Sequence, residues 1–425
     1  MVKMQEEYLN VCGMPTKVIT WGKSVQEGFE KDEPKDIVIC IPGNPGLTKV
    51  YSQFLQTIHE QVGYPVWIIG HAGHELPSDV KPEIPPLEDN EKIYGLQGQI
   101  LYKQAFILKY LPRDVRIHFI GHSIGAYMIL QLLKDRKIRS RTAQSYLLYP
   151  TIENLAETRN GKIINNIISP IIWALTLFIT IFSFIPLIFR KFLIQMLFLV
   201  LSIPSIYEDS FVNLLQPTVL KKVYVLALDE MATVKERDND VLKQDKDKIK
   251  LYYGRNDGWA PLSHYTKLKD DIPGINAEVC DQNIGHNFIF KHSNEMGSII
   301  IFEEGDMMRQ GRNMRFQMDG APVHWGVQTR QWLYEAYPEK WIGRWFSSVP
   351  PRSLDLNPLD FFLWGTLKTL VYKKEIQAKR ELIQRIHNAV VVITNNNMLQ
   401  NMEASILRRI RKCDEVNGAY IENLL

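Results

Sequence analysis

The sequence predicts an α/β fold over roughly the first 300 residues, with a mostly parallel sheet covered by helices on both faces. Short β-branched runs bounded by Gly, Pro or charged residues indicate buried strands, and they lie at residues 37–41, 66–70, 115–120 and 146–149. Apolar residues at helical spacing separate them, at residues 95–111 and again after residue 124. Strand patterns resume at residues 223–228 and 249–253, and the core pattern continues at 279–280 and 299–301. Because strands alternate with helices, a parallel sheet is expected.

Length and composition indicate a globular protein of more than one domain. A chain of 425 residues is long enough for two or three domains at roughly 100–200 residues each. Its 45% hydrophobic and 23% charged residues permit sizeable cores and exclude global disorder. The net charge of +3 is uneven, with 33 basic and 35 acidic residues up to Gly305 and 17 basic and 12 acidic residues from Asp306 onward. Only the C-terminal part suggests a polyanionic partner, and a solvated helix face explains the same ratio.

The cysteines and the N-terminus bear on the compartment. Cys12, Cys40, Cys280 and Cys413 are widely spaced and form no C-x-x-C pair, so we predict reduced, mostly structural thiols in a cytosol-facing protein. The first 13 residues lack a basic segment followed by an apolar run. No signal peptide is therefore predicted, and secretion is not expected.

Residues 163–204 are the most lipid-like part of the chain. A run of 27 uncharged residues ends at Phe189, and a second uncharged run follows Arg190 and Lys191. The first run is long enough for the roughly 20 residues that cross a bilayer as a helix. A single crossing would split the α/β domain between two compartments, because strand patterns resume after it. We therefore favour a hairpin or cap that dips into one leaflet over a true span, with a buried helical cap as the third interpretation.

The strongest chemical motif is Gly-His-Ser-Ile-Gly at residues 121–125. It follows a predicted strand directly and opens a predicted helix, which is the context of a nucleophile elbow. Small residues two before and two after the serine let neighbouring backbone approach the sharp turn. The helix N-terminus stabilises developing negative charge. We predict Ser123 as a nucleophile, although a bare G-x-S-x-G also occurs in simple turns.

A Gly/Pro-rich loop at residues 42–46 follows the first of these strand patterns. In folds that use a nucleophile elbow, such a loop supplies one backbone amide of the oxyanion hole. We predict the backbone N–H groups of Asn44 and Ile124 as the two donors. A tight turn without a catalytic role is the alternative.

The acid and the base should follow the serine in the order Asp or Glu, then His. Asp257 and His286 each follow a strand pattern in a loop. We predict that Asp257 fixes the tautomer of His286 and that His286 accepts the proton of Ser123. The nearest competitors are His292 for the base and Asp271 for the acid, although Asp271 lies in a charged helix end.

Five segments follow one another in a recognisable order. They are Ile-Pro-Gly-Asn-Pro-Gly at 41–46, Gly-His-Ser-Ile-Gly-Ala-Tyr at 121–127, Leu-Tyr-Pro-Thr-Ile at 148–152, Tyr-Gly-Arg-Asn-Asp-Gly-Trp at 253–259, and His-Asn-Phe followed by His-Ser-Asn-Glu-Met within 286–296. Together they resemble the lipid-droplet-associated hydrolase family over about residues 5–301. The resemblance implies an α/β-hydrolase fold for residues 1–301 and a serine lipid hydrolase of the endoplasmic reticulum and lipid droplets, with sterol-ester hydrolysis as its usual activity.

The same resemblance assigns site residues and shows where the sequence departs from the family. It maps Ser123, Asp257 and His286 onto the catalytic triad and assigns the apolar segment 163–204 to lipid-surface targeting. After Ile301 the family continues into a terminal helix, whereas this sequence does not. The helix behind the His286 loop is therefore expected to be incomplete.

The character of the sequence changes after residue 301. Five of the nine tryptophans fall after residue 305. Beyond a junction at 302–311, the segments at 317–324, 341–344 and 350–364 resemble the end of a mariner-like transposase. Such enzymes hold two divalent metals on three carboxylates of an RNase H-like α/β fold. The resemblance maps Asp319 to the second carboxylate and Asp360 to the third, but the first has no counterpart. Residues 312–425 are therefore predicted to be an incomplete fragment with vestigial carboxylates and no metal, either a captured mobile element or two neighbouring genes joined in one gene model.

The leading functional hypothesis is a serine esterase acting on lipid esters, with sterol esters as the candidate substrate and no cofactor or metal. We expect it on lipid droplets and on the cytosolic face of the endoplasmic reticulum membrane, attached through residues 163–204. One alternative is a lipid-droplet surface protein with an idle triad. Another is a DNA-binding protein whose functional part is the transposase-like tail, although a nucleic acid partner is not expected. The acyl preference and the oligomeric state stay open.

Overall fold

The computed structural model describes residues 4–29, 36–77, 84–201, 203–280, 282, 284–301, 316–317, 341–342, 359–374, 376, 379–395 and 398–416. The chain divides into two compact units, Met1–Glu303 and Glu304–Leu425. The residues predicted to perform ester hydrolysis all lie in the first unit.

An eight-stranded sheet runs through the first unit. Its strands are β1 (Gln5–Val11), β2 (Met14–Trp21), β3 (Asp36–Ile41), β4 (Val66–Ile69), β5 (Arg116–His122), β6 (Thr142–Leu148), β7 (Ile249–Tyr253) and β8 (Asn276–Val279). They lie in the order β1-β2-β4-β3-β5-β6-β7-β8. The first two pairings are antiparallel, and every pairing from β4 to β8 is parallel. The predicted mostly parallel sheet is confirmed.

Helices connect and cover these strands. They are α1 (Ser52–Val62), α2 (Glu91–Tyr94), α3 (Leu96–Tyr110), α4 (Ile124–Leu132), α5 (Arg136–Arg139), α6 (Arg159–Ile163), α7 (Ser169–Ser183), α8 (Leu187–Leu201), α9 (Glu208–Leu214), α10 (Pro217–Thr233), α11 (Asn239–Gln244), α12 (Leu262–Asp271), α13 (Phe288–Lys291) and α14 (Ser293–Ile301). The helices predicted at residues 95–111 and after residue 124 are present as α3 and α4. The first unit has the α/β-hydrolase fold.

The parallel strands bury side chains on both faces of the sheet. All six residues of β3 are buried. Ile37 and Ile39 join one hydrophobic cluster, and Val38 and Cys40 join a second cluster. Because successive strand side chains point to opposite faces, the two clusters lie on opposite sides of the sheet.

Two predicted strand or core segments are helical, and one hairpin is not anticipated by the sequence pattern. Residues 223–228 lie inside α10 rather than in a strand. The β-branched run there resembles a strand, but the buried positions of α10, including Val219, Leu226 and Glu230, repeat at helical spacing. Residues 299–301 end α14. The β1–β2 hairpin turns at Cys12 and Gly13, which both have positive φ, of 50° and 82°.

The apolar segment forms two exposed helices, α7 and α8, joined through residues 184–186. No residue of α7 is buried. Only Ile194 and Phe198 of α8 are buried, and they join the hydrophobic cluster that also contains Phe288. This arrangement differs from a helix buried as a lid.

The second unit is described in part. β9 (Phe316–Gln317) and β10 (Trp341–Ile342) pair in parallel, and α15 (Trp364–Val371), α16 (Lys379–Asn395) and α17 (Met398–Glu415) follow. The short helix Leu359–Leu363 contains Asp360, whose side chain lies outside the described residues. Asp319 and the predicted junction 302–311 also lie outside them.

Candidate active site

Ser123 lies at a sharp turn between β5 and α4. Its backbone has a φ of 55° and a ψ of −122°. A non-glycine residue at positive φ is uncommon and marks a conformation imposed by the surroundings. The backbone N–H of Ile124 belongs to the first turn of α4, where amides have no acceptor within the helix. The turn therefore places Ser123 at the helix N-terminus, beside backbone N–H groups that have no acceptor within the helix.

The glycines around Ser123 are required by close backbone approach. A Cβ on Gly125 would lie 2.1 Å from the carbonyl oxygen of Ile41, and a Cβ on Gly121 would lie 2.6 Å from Cδ1 of Ile129. The first of these contacts is with backbone, which cannot easily move. The small residues two before and two after the serine therefore have the physical role that the sequence motif predicts.

Asp257 and His286 come together at the ends of β7 and β8. His286 Nδ1 lies 2.8 Å from Asp257 Oδ2, and Asp257 Oδ1 accepts a 2.8 Å hydrogen bond from the backbone N–H of Trp259. Burial alone would raise the pKa of Asp257, but the hydrogen bonds from His286 and from backbone amides outweigh it, and this pKa lies below its ordinary value. An ionised Asp257 holds the proton of His286 on Nδ1, so that Nε2 is the proton-accepting atom.

Neither the alternative acid nor the alternative base takes part in the Asp257–His286 hydrogen bond, although His292 lines the cavity that borders this pair. Asp271 forms an ion pair with Arg237 at 2.5 Å, and Arg237 also pairs with the buried Glu153. His292 lies 3.8 Å from Glu295 and its side chain is 45% exposed. Asp257, rather than Asp271, is therefore the carboxylate that hydrogen-bonds His286.

The loop at residues 42–46 packs directly against the elbow. A Cβ on Gly43 would lie 2.9 Å from Cβ of Ser123. The Gly43 N–H already donates to the hydroxyl of Tyr51 at 3.0 Å, and Pro45 has no N–H, so Asn44 carries the next backbone donor of the loop. The Asn44 side chain donates to the carbonyl oxygen of Val223 in α10 at 3.1 Å.

A cavity of about 480 Å³ borders the Asp257–His286 pair. Trp259, Arg159 and Asn160 also line it. The backbone N–H of Asn160 donates to the carbonyl oxygen of Gly258 at 3.0 Å, so the start of α6 is fixed to the loop that carries Asp257. Within the described residues, no group of three or more His, Cys, Asp or Glu side chains could hold a metal ion.

A family model described as lipid-droplet associated hydrolase matches residues 34–289. The chain belongs to the lipid-droplet-associated hydrolase family. The family resemblance predicted from the five sequence segments is confirmed by this match. The match ends at residue 289, before α14 begins, and therefore does not include residues 312–425.

Named relatives of this family align with most of the chain. It is 43% identical to the lipid droplet-associated hydrolase of Drosophila melanogaster over 314 residues, which cover 73% of this chain and 100% of the relative. The lipid droplet-associated hydrolase of Mus musculus is 35% identical over 311 residues, covering 70% of this chain and 94% of the relative. An esterase from Exiguobacterium antarcticum has a solved structure with a TM-score of 0.47 and 14% identity, covering 71% of this chain and 98% of that one.

Other side chains at this lipid-droplet-associated hydrolase site are not identifiable from the sequence. Tyr149, at the end of β6, has a φ of 48° and donates to the carbonyl oxygen of Ile284 at 2.8 Å, just before His286. Tyr51 and His122 hydrogen-bond each other at 2.7 Å beneath the elbow. The sequence singles out only His122 among these other side chains, because it directly precedes Ser123 in the predicted motif.

Glu230 of α10 is a buried acid close to the Asn44 side chain. Burial raises the pKa of Glu230 to about 8. The hydrogen bond with the Asn44 side chain lowers this pKa, and the nearby charge of Asp229 raises it. The carboxyl group is therefore neutral at pH 7. Between the unfolded pKa of 4.5 and the folded pKa of about 8, the native state holds a proton that the unfolded chain has lost. This stability contribution is fully present below about pH 4.5 and is lost as the pH rises through about 8.

We therefore expect Glu230→Gln to gain stability relative to the parent chain as the pH rises, since the amide has no proton to lose. The measurement is the thermal midpoint of both chains between about pH 5 and about pH 9. Glu91→Gln, at an exposed position of α2, is the matched control and should show no such trend. A difference between Glu230→Gln and the parent chain that stays constant with pH would contradict this assignment.

Proposed function

We propose that this chain is a serine hydrolase of lipid esters that acts through Ser123, His286 and Asp257. The observation that supports this most strongly is the part-buried 2.8 Å hydrogen bond between His286 Nδ1 and Asp257, together with a strand-to-helix turn that carries a serine at positive φ. The loop that packs on Ser123 carries the backbone N–H of Asn44, which we propose as an oxyanion donor. These are the parts that acyl transfer requires.

The chemistry follows from the roles of these groups. Ser123 Oγ attacks the ester carbonyl carbon while His286 Nε2 accepts the serine proton. The N–H groups of Asn44 and Ile124 stabilise the oxyanion. His286 then returns the proton to the alcohol as it leaves, which yields an acyl-enzyme. Water, activated by the same imidazole, releases the fatty acid and restores Ser123.

The exposed helices α7 and α8 support a lipid surface as the place of action. Phe178, Phe184, Ile188 and Val200 have 63, 82, 73 and 79% of their surface exposed. The helical stretch Arg159–Ser183 is apolar enough to cross a membrane by length and composition, with a mean hydropathy of 1.8, and none of its most apolar window is buried. Apolar patches of this kind mark interaction or membrane surfaces. We propose that this hairpin binds the surface of lipid droplets and the cytosolic face of the endoplasmic reticulum.

The contacts of α8 favour a hairpin lying in the interface over a span. Lys191 pairs with Asp209 at 2.7 Å and with Glu208 at 3.4 Å, both in α9. Phe198 packs edge-on against Phe211 at 4.9 Å. Because α8 is held to the folded unit along this side, a crossing would pull these charges into hydrocarbon, whereas in-plane binding leaves them in place.

Arg159 and Asn160 at the start of α6 line the cavity beside the acid–base pair, and α6 precedes α7 in the chain. Within lipid esters we propose sterol esters, on the basis of the family resemblance. The specificity is measured by comparing the turnover of a cholesteryl ester and a triacylglycerol with the same acyl chain in one emulsion. Preferential turnover of the triacylglycerol would overturn the sterol-ester assignment while leaving the serine hydrolase intact.

A fluorophosphonate probe tests the serine hydrolase directly, because it modifies an activated serine. Labelling of the folded chain, and its loss after heat unfolding, is the expected result. A folded chain that is not labelled would instead support a lipid-surface protein with an idle triad.

We also propose that residues 312–425 are a catalytically incomplete, transposase-like fragment that the hydrolase does not need. The resemblance supplies only Asp319 and Asp360, and two carboxylates hold two metal ions poorly. The complete Drosophila melanogaster relative aligns with 73% of this chain, which supports a self-sufficient first unit. Removing residues 306–425 should leave ester turnover within a few-fold, and the full chain should not cleave DNA with magnesium. A soluble but inactive 1–305 chain, rescued by adding back the tail, would contradict this proposal.

A further inference from the structure

Tyr51 and His122 link three segments of the active site through buried hydrogen bonds. The Tyr51 hydroxyl accepts a 3.0 Å hydrogen bond from the Gly43 N–H and lies 2.7 Å from Nδ1 of His122. Nε2 of His122 lies 3.0 Å from the carbonyl oxygen of His286. Tyr51 and His122 are 2% and 4% exposed. The oxyanion loop, the residue before Ser123 and the backbone of His286 are thus joined in one chain of hydrogen bonds.

The direction of this hydrogen-bond chain follows from its two ends. A carbonyl oxygen only accepts, so Nε2 of His122 carries the ring proton and donates it to the carbonyl oxygen of His286. In a neutral ring Nδ1 is then an acceptor, and the Tyr51 O–H donates to it. Burial lowers the pKa of His122 to about 3, and the neighbouring His286 acts in the same direction, so the ring is neutral at pH 7.

We propose that Tyr51 and His122 are positioning residues that hold the oxyanion loop and the His286 loop in register with Ser123. This inference rests on the proposed function. Gly43, at one end of the hydrogen-bond chain, packs so close to Ser123 that an added Cβ would lie only 2.9 Å from the serine Cβ. His286, at the other end, hydrogen-bonds Asp257 at 2.8 Å. A displacement at either end changes the distance between the attacking oxygen, the base and the oxyanion donors.

Loss of the Tyr51 hydroxyl has a specific consequence. It leaves the Gly43 N–H and Nδ1 of His122 without their partner, while the aromatic ring remains to pack against His122 with centroids 5.8 Å apart. Tyr51→Phe therefore removes two hydrogen bonds and little volume. We expect kcat for a small soluble ester such as p-nitrophenyl butyrate to fall roughly 10- to 100-fold, with KM changed less than about threefold, because small misplacements of catalytic groups act on the chemical step.

Substitutions of His122 separate the two bonds of its ring. His122→Ala removes both of them, and His122→Gln restores a neutral amide donor near the position of Nε2. We expect the kcat of His122→Gln to be at least about tenfold higher than that of His122→Ala. Because the residues act as a unit, the double variant Tyr51→Phe/His122→Ala should be no more than about threefold slower than His122→Ala alone.

Tyr102→Phe is the matched control for a purely structural role. The Tyr102 hydroxyl is also buried and donates to the carbonyl oxygen of Met14 at 3.1 Å. Tyr102 lies in α3 and Met14 in β2, so neither residue belongs to the active-site loops. The experiment uses the full chain and measures kcat, KM and the thermal midpoint for each variant. Tyr102→Phe should lower only the midpoint, whereas Tyr51→Phe should lower kcat as well.

The outcomes distinguish this inference from the proposed function. If Tyr51→Phe and His122→Ala behave like Tyr102→Phe, with kcat unchanged, the hydrogen-bond chain only stabilises the fold and the inference is overturned. A parent chain that is folded but turns over no ester would overturn the proposed function, and the inference with it. Additive losses in the double variant would show that the two residues act independently, which also contradicts the inference.

Discussion

Ser123→Ala is expected to lower ester turnover by at least about a thousandfold, because no other atom can form the acyl-enzyme once Oγ is gone. The fold should persist, since the substitution removes one atom from a partly exposed side chain. The measurement is kcat/KM for p-nitrophenyl butyrate, with the circular dichroism spectrum and thermal midpoint recorded on the same samples. A variant that keeps more than a few per cent of the parent turnover would show that Ser123 is not the nucleophile.

Ser145→Ala provides the matched control for this substitution. Ser145 lies in β6, beside the strand that leads to the elbow, and its Oγ is buried without a hydrogen-bond partner among the described residues. Its loss should change neither turnover nor stability appreciably. A comparable loss of activity in Ser145→Ala would mean that the sheet, rather than the Ser123 hydroxyl, is the sensitive element.

Charges placed on the α7–α8 hairpin are expected to release the protein from lipid. The double variant Phe178→Asp/Phe184→Asp replaces two aromatic side chains, which are 63 and 82% exposed, with carboxylates. Each costs roughly 2.5–3.5 kcal/mol in an apolar core by insertion scales. Because about 1.4 kcal/mol is tenfold, the affinity for lipid droplets should fall at least about a hundredfold. Flotation with purified droplets measures this loss.

The control also introduces two aspartates in place of exposed apolar side chains, but it places them on α3. Leu101 and Leu108 are also exposed, at 53 and 41%, and lie outside the hairpin. Leu101→Asp with Leu108→Asp should leave flotation unchanged, and both double variants should retain turnover of the soluble ester. Equal release by the two double variants, or full flotation of the hairpin variant, would contradict lipid attachment through α7 and α8.

Much of the fold follows from local patterns, since β3, β4, β5 and β7 are short apolar runs between turn residues. The elbow is equally local, because Gly121 and Gly125 are needed for contacts with the adjoining helix and strand. The prediction of a strand at residues 223–228 is wrong because a short β-branched run does not show whether its buried positions repeat with the period of a strand or of a helix. Tyr51 and Glu230 acquire their environments only when loops from different parts of the chain meet, and no spacing rule encodes those meetings.

The most direct test of Ser123 as the activated nucleophile is to locate the covalent adduct of a fluorophosphonate by mass spectrometry. Trypsin cleavage after Arg116 and after Lys134 yields a peptide in which Ser123 is the single serine. The account predicts one adduct per chain, on Ser123 in this peptide, and strongly slowed labelling in Asp257→Asn because His286 then loses its tautomer control. An adduct on a different peptide, or unchanged labelling of Ser123→Ala, would contradict it.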